Sequence, residues 1–232
     1  MGSFNGFPKE TFEFFEKLKL NNSKDWFQAN RGEYDEFVKK PSEQFVVEMG
    51  ELLQVLAPRI NAIPKVNQSL FRINRDTRFS KDKSPYKTNL GIWFWEGERK
   101  RMECSGFYFH YEDGKIMLGT GVYVFQKELL GLYRDAVVDK KLGRELKRVS
   151  NKMSEKGYEI GRKHYKRIPQ GYDVSHENAD FLLFKGLTAM IEEDISPEIH
   201  SSAILDHVFE HFRNMQPIHG WLIKALVTVR IV

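Results

Sequence analysis

The sequence predicts a single compact α+β domain in which an antiparallel β-meander packs with N-terminal and C-terminal helices. Apolar residues recur at helical spacing at both ends of the 232-residue chain, whereas they alternate at strand spacing in its middle. No internal repeat or linker-like segment interrupts the pattern. We therefore expect one domain over 1–232, with a helical segment at 8–59, a sheet and a loop at 66–125, and a helical and mixed segment at 126–232.

Three amphipathic helices are predicted in the N-terminal segment. The first covers residues 8–20, and residues 21–23 end it and offer N-cap oxygens to a second helix over 24–40. Pro41 marks either a boundary or the first turn of a third helix. That helix ends before Pro58, because proline cannot continue it.

The middle of the chain changes to strand spacing. Residues 70–74 alternate between apolar and polar side chains and predict a half-buried strand. Three more strands are predicted over 88–95, 102–111 and 115–125. The last two are joined by Asp113-Gly114, a strong signal for a tight turn.

Helical spacing returns after residue 125. It predicts helices over 126–139 and 141–156, the second with Gly157 as its C-cap. The remaining predicted elements are a short helix over 175–185, a strand over 187–192, and a mostly helical segment over 197–229 with a break near Pro217.

Positive charge is concentrated in the stretch Arg72–Lys87, which we call the motif loop. It holds six basic and two acidic residues, and its balance of +4 equals the net charge of the whole chain. Guanidinium groups bind phosphate or carboxylate through two parallel hydrogen bonds. The loop therefore predicts a basic, anion-binding cleft, and the ligand-binding side chains expected there are Arg72, Arg75, Arg78, Ser80, Lys83 and Lys87.

Two side chains of the motif loop could take part in catalysis. Asp76 is the natural general base, and Tyr86 is a candidate proton donor. Metal-dependent phosphoryl chemistry usually needs a second well-placed carboxylate, and Asp82 is flanked by lysines, so no metal site is predicted. In the structural alternative, Asp76 and Asp82 pair with the arginines and the loop is an internal brace.

Three classes of function follow from these observations. The first is a protein that binds a phosphate-bearing ligand, either a nucleotide or a nucleic acid. The second is an enzyme that acts on a phosphorylated or carboxylated small molecule with Asp76 as its base. The third is a structural or protein-interaction domain. The sequence identifies no cofactor.

Other chemistry-bearing side chains favour ordinary packing. Trp93 and Trp95 share one strand face beside the motif loop and could stack on bases, but burial in the core is favoured. His207 and His211 are spaced to meet one metal on a helix, yet the sequence offers no third ligand, which favours a packed or solvated pair. Cys104 is expected to be a small packing residue.

The sequence is typical of a cytoplasmic protein that does not enter membranes. A single cysteine excludes an internal disulfide, and the N-terminus lacks the basic start and apolar core of a signal peptide. The apolar tail Trp221–Val232 is too short to span a bilayer and carries two basic residues.

Several stretches together resemble a widespread, uncharacterised family of bacterial and fungal proteins, a domain of unknown function. Its hallmark is similar to F-R-I-x-R-D-x-R-F-S-x-D-K-S-P-Y-K, which spans Phe71–Lys87 here. The stretches Asn21–Phe27, Gly119–Tyr123 and Pro169–Tyr172 also resemble it. The resemblance implies one α+β domain and no established activity. It also suggests that a second basic segment, which contains Arg167, contributes to the same ligand cleft.

Overall fold

The computed structural model describes residues 2–161 and 163–228. It confirms the α+β class, with helices flanking a six-stranded antiparallel sheet. The described residues form two compact units. Unit 1 takes the described residues within Met1–Phe94, Tyr108–Leu118 and Glu192–Glu210, and unit 2 takes those within Trp95–Phe107, Gly119–Ile191 and His211–Val232. The assignment of the whole chain to a single domain therefore stays a prediction.

The N-terminal helices lie in unit 1. Helix α1 (Lys9–Leu20) follows Pro8, and α2 (Lys24–Ala29) has the Ser23 side chain as its N-cap, as predicted. The expected helix over 24–40 is interrupted at Asn30, whose backbone leaves the helical region with φ −109° and ψ 15°. The Asn30 side chain also donates to the Trp26 carbonyl at 2.8 Å.

The chain after Asn30 reaches the third helix through short helical pieces. Helix α3 (Arg31–Glu33) is a single turn, and a π-helical segment (Tyr34–Lys39) leads directly into α4 (Lys40–Leu53). Pro41 lies in the first turn of α4, where its missing N–H costs little.

The sheet has the strand order β1-β2-β3-β4-β6-β5. Two of its strands were not predicted, β1 (Ile60–Asn61) and β5 (Glu159–Ile160), and each is only two residues long. The others are β2 (Asn89–Glu96), β3 (Gly106–Glu112), β4 (Lys115–Val122) and β6 (Leu187–Asp194).

The turn between β3 and β4 has the predicted geometry. Asp113 and Gly114 both have positive φ, 49° and 77°, which a two-residue hairpin of type I′ requires. The strand predicted over 102–111 is shorter than expected, because its first residues form a 3₁₀ turn (Arg101–Glu103) before β3 begins.

The strand predicted over 70–74 is wrong, although its alternation of buried and exposed side chains is present. Leu70 forms an isolated bridge to Ile92, and Asn74 forms another to Tyr86. The backbone thus pairs with two different segments in five residues, so neither ladder continues. The second bridge closes the motif loop, since the Lys87 amide donates to the Ile73 carbonyl at 2.8 Å.

The C-terminal half contains α5 (Lys127–Val138), α6 (Leu142–Glu155), a 3₁₀ turn (Ala179–Leu183) in place of the predicted helix over 175–185, and α7 (Ala203–Thr228). The predicted break near Pro217 is wrong, because α7 is continuous through it. In unit 2 this helix buries Trp221, whose indole N–H donates to the Leu142 carbonyl at 2.8 Å. Such packing outweighs the loss of one helical hydrogen bond.

The core of unit 1 is rich in aromatic rings. Phe7, Phe45 and Phe109 pack with centroids 5.0 to 5.7 Å apart. Trp93 is buried in unit 1 and Trp95 in unit 2, which favours the core interpretation over a stacking surface. Within the described residues, the helices are each too short or too polar to cross a bilayer.

Candidate functional site

A polar cleft of about 450 Å³ opens in unit 1, and we call it the Arg75 cleft. Three cationic side chains line it: Lys19 from the end of α1, and Arg75 and Lys87 from the motif loop. Two carboxylates, Asp82 and Glu112, complete its charged walls. The formal charge of the lining is therefore +1, which permits an anionic ligand. The two carboxylates can also accept hydrogen bonds from ligand hydroxyl groups.

Neutral polar groups fill the rest of the cleft wall. They are the side chains of Asn22, Ser84, Thr88 and Asn89, together with Tyr86. Amide and hydroxyl groups of this kind can donate hydrogen bonds to phosphate oxygens. The cleft thus combines charged and neutral donors within a volume suited to a small molecule.

The Asn22 side chain fixes one end of the motif loop. Its amide nitrogen donates to the Tyr86 carbonyl at 2.9 Å, and its oxygen accepts from the Tyr86 amide at 3.1 Å. The Tyr86 ring is buried and stacks on Phe27 of α2, with ring centroids 4.2 Å apart. The N-terminal helices therefore set the position at which the loop rejoins the sheet.

Arg75 is held at the cleft wall by Asp82. Its guanidinium group donates to the Asp82 carboxylate. That carboxylate also accepts from the Ser84 amide at 2.9 Å and from the Ser84 hydroxyl at 2.7 Å. The Ser84 bonds and then the Arg75 charge hold the pKa of Asp82 well below its usual range. Asp82 therefore stays ionised and orients Arg75.

Asp76 does not line the Arg75 cleft. Its carboxylate instead accepts two hydrogen bonds from the Arg78 guanidinium, at 2.9 and 2.7 Å. These bonds lower the pKa of Asp76 to about 2. A carboxylate with such a low pKa is a weak proton acceptor near neutral pH, so the geometry does not favour Asp76 as a general base.

The ion pairs of the motif loop lie on the surface. The side chains of Arg78 and Asp76 are 76% and 44% exposed. Exposed pairs contribute little to the free energy of unfolding, because water and salt screen them. Asp76 and Asp82 thus pair with Arg78 and Arg75, as the structural alternative expected. The Arg75 and Asp82 side chains are 27% and 59% exposed, so neither pair is fully buried.

The structure brings together only some of the predicted site residues. Arg75, Tyr86 and Lys87 line the Arg75 cleft. The Lys83 ammonium instead donates to the Thr77 carbonyl at 2.9 Å, and Arg167 is an exposed residue of unit 2. The other predicted side chains that do not line this cleft are Asp76, Arg72, Arg78 and Ser80.

Five residues that line the cleft were missed by sequence reasoning, namely Lys19, Asn22, Thr88, Asn89 and Glu112. Lys19 is a polar position near the end of α1 whose ammonium group bonds Asp113 at 2.8 Å, and its sequence context carries no signal. Glu112 precedes the hairpin turn, where an acidic residue is unremarkable. Asn22 could have been found, because it lies in one of the stretches that carry the family resemblance.

Other predicted positions have structural roles. Cys104 is buried, and burial raises the pKa of its thiol, which agrees with a packing residue. Gly121 has a φ of +121°, and a side chain there would overlap the Leu187 carbonyl oxygen, so the backbone of β6 approaches it closely. His207 bonds Glu193 in unit 1, whereas in unit 2 the His211 ring bonds the Tyr158 hydroxyl at 2.9 Å.

Unit 2 contains a buried polar network that sequence reasoning also missed. His219 Nδ1 bonds the Ser105 hydroxyl at 2.9 Å, and His219 Nε2 bonds the Glu96 carboxylate at 2.8 Å. The residues resemble a nucleophile, base and acid set, but they are only 1 to 8% exposed. A substrate cannot reach this serine, so the network is a structural element of the unit 2 core.

Comparison with known proteins identifies a family but no activity. The family model described as "Conserved hypothetical protein (DUF2461)" matches residues 10–221. No curated protein and no solved structure matches the chain.

Proposed function

We propose that this chain, which belongs to the DUF2461 family, binds a phosphate-bearing ligand in the Arg75 cleft. The observation that carries the proposal is the convergence of Lys19, Arg75 and Lys87 on one polar cleft. Lys19 and the two loop residues are far apart in the sequence, so this convergence is a product of the fold. An anionic group in the cleft would interact favourably with all three cations.

Arg75 is the main phosphate-binding group in this proposal. Its guanidinium group is planar and offers several N–H donors in a fixed arrangement, of which Asp82 uses part. Because Asp82 is held in turn by Ser84, the arginine is oriented before the ligand arrives. Preorganisation of this kind lowers the entropic cost of binding.

The carboxylate of Glu112 offers the ligand an additional hydrogen-bond acceptor. It lies at the cleft wall, where it pairs with the Asn89 amide at 3.4 Å. A purely anionic ligand would gain nothing from this group, whereas a sugar hydroxyl could donate to it. Nucleotides and sugar phosphates combine an anionic group with such hydroxyls.

Calorimetric titration of a nucleoside monophosphate into the protein and its Arg75→Gln variant tests the proposal. Loss of a charge-assisted hydrogen bond costs about 1.5–3 kcal/mol, so affinity should fall roughly 10- to 150-fold. Arg31→Gln is the matched control, because Arg31 is an exposed, ion-paired arginine of unit 1 that does not line the cleft. Equal affinities for wild type and Arg75→Gln, or no binding by the wild type, would contradict the proposal.

A further inference from the structure

Phe79 is the most exposed of the large apolar side chains in the described residues, at 94%. It lies in the middle of the motif loop, and the Arg78 guanidinium lies 5.8 Å from the centre of its ring. Arg72, Arg78, Lys81 and Lys83 of the same loop are also exposed. The loop thus presents an exposed aromatic ring with one guanidinium group beside it and other exposed cationic side chains in the same loop.

Local polar contacts accompany this arrangement within the motif loop. The Asp76 carboxylate bonds the Arg78 guanidinium, and the Lys83 ammonium bonds the Thr77 carbonyl. The Ser80 amide donates to the same carbonyl at 3.3 Å. Phe79 therefore lies between residues whose side chains bond within the loop, while its own ring faces solvent.

The ring is close to the Arg75 cleft along the chain. Phe79 follows Arg75 by four residues, so their Cα atoms are at most about 14 Å apart. Stacked nucleotides advance by about 3.4 Å each. A chain of a few nucleotides is therefore long enough to reach both groups.

We propose that the ligand of the Arg75 cleft is a short stretch of single-stranded nucleic acid, with one phosphate in the cleft and a base stacked on Phe79. This inference rests on the proposed function and names the class of ligand. Base stacking on exposed aromatic rings beside cationic groups is the usual mode of single-strand binding. One isolated ring suits a base, whereas a lipid surface is bound by a broad apolar face.

Binding of a short oligothymidylate, of thymidine monophosphate and of inorganic phosphate to wild type and Phe79→Leu tests the inference. Loss of one stacking interaction should weaken oligothymidylate binding roughly 5- to 150-fold. Phosphate binding should not change, since Phe79 does not line the cleft. Tyr123→Leu is the matched control, because Tyr123 is 67% exposed in unit 2 and also lies beside a cation, Lys185.

The outcomes separate this inference from the proposed function. If phosphate and the monophosphate bind but Phe79→Leu leaves oligothymidylate affinity unchanged, the single-strand inference fails and the cleft proposal stands. If none of the three ligands binds the wild type, both fail. Phe79-dependent binding to phosphatidylserine vesicles without binding to oligothymidylate would assign the ring to a lipid surface and overturn the inference.

Discussion

Asn22 is the single side chain that best shows how the motif loop is positioned. It joins the end of α1 to Tyr86 through two hydrogen bonds in a partly buried location. Asn22→Ala would leave the Tyr86 amide and carbonyl without these partners. We expect a loss of about 1–3 kcal/mol in the free energy of unfolding, measured by urea denaturation.

Asn21→Ala is the control for that experiment. The Asn21 side chain bonds the Lys17 carbonyl at an exposed position, where water can replace it. Its substitution should therefore change the free energy of unfolding much less. Similar losses in the two variants would contradict a specific role for Asn22.

The Asp76–Arg78 pair makes a prediction about acid pH. The pKa of Asp76 is about 2, below the ordinary value of 3.8, so any stabilisation by the pair is complete above pH 4 and is lost as the pH falls toward 2. Carboxyl carbon NMR should show Asp76 titrating near pH 2 in the wild type. In Arg78→Ala the midpoint should rise toward the ordinary value, and an unchanged midpoint would show that Arg78 is not the cause.

At the residue scale, three of the side chains predicted from the sequence line the Arg75 cleft, and there is a physical reason. Arg75, Tyr86 and Lys87 lie in one charged stretch, so local composition was enough to select them. The same composition also selected Arg72 and Arg78, because it does not show which side a loop residue faces. Lys19 joins them only through the fold, and no local pattern reports such a contact.

At the scale of elements, periodic segments were predicted well and irregular ones were not. Helices α5 and α6 and strand β2 agree with the expected ranges within a few residues. The strand prediction for 70–74 was wrong, because the backbone there pairs with two different segments. The helix break predicted near Pro217 was also wrong. There the local signal was present, but tertiary packing keeps α7 continuous.

The contact between β4 and β6 depends on Gly121. Its φ of +121° is strained for other residues, and a methyl group would overlap the Leu187 carbonyl oxygen. Gly121→Ala should therefore lower the free energy of unfolding by at least about 1–3 kcal/mol, the cost of the backbone conformation alone. Thermal or urea denaturation measures this loss.

Gly131→Ala provides a control of opposite sign. Gly131 lies inside α5, and a methyl group there would meet no atom within 4 Å. Alanine is the better helix former by about 1 kcal/mol, so this variant should be more stable than the wild type. A Gly121→Ala protein as stable as the wild type would contradict the close approach of the two strands.

At the scale of the whole molecule, the sequence shows where the positive charge is concentrated, and the fold shows which other residues join it at the cleft. The net charge of +4 equals the balance of the motif loop, so the rest of the chain is neutral on average. The fold adds Lys19 and Glu112 from other elements and turns the charged stretch into a cleft. Membership of the family does not indicate an activity. The proposal of a phosphate-bearing ligand therefore depends on the side chains that line the cleft.

Mapping amide chemical shifts by ¹⁵N NMR during titration with a nucleoside monophosphate tests the central claim most directly. If the Arg75 cleft binds phosphate, the largest changes should fall on cleft residues such as Ser84, Thr88 and Asn89, and the free nucleoside should not reproduce them. Largest changes in the basic segment 163–172 of unit 2, or no changes at all, would contradict the assignment of the ligand site to this cleft.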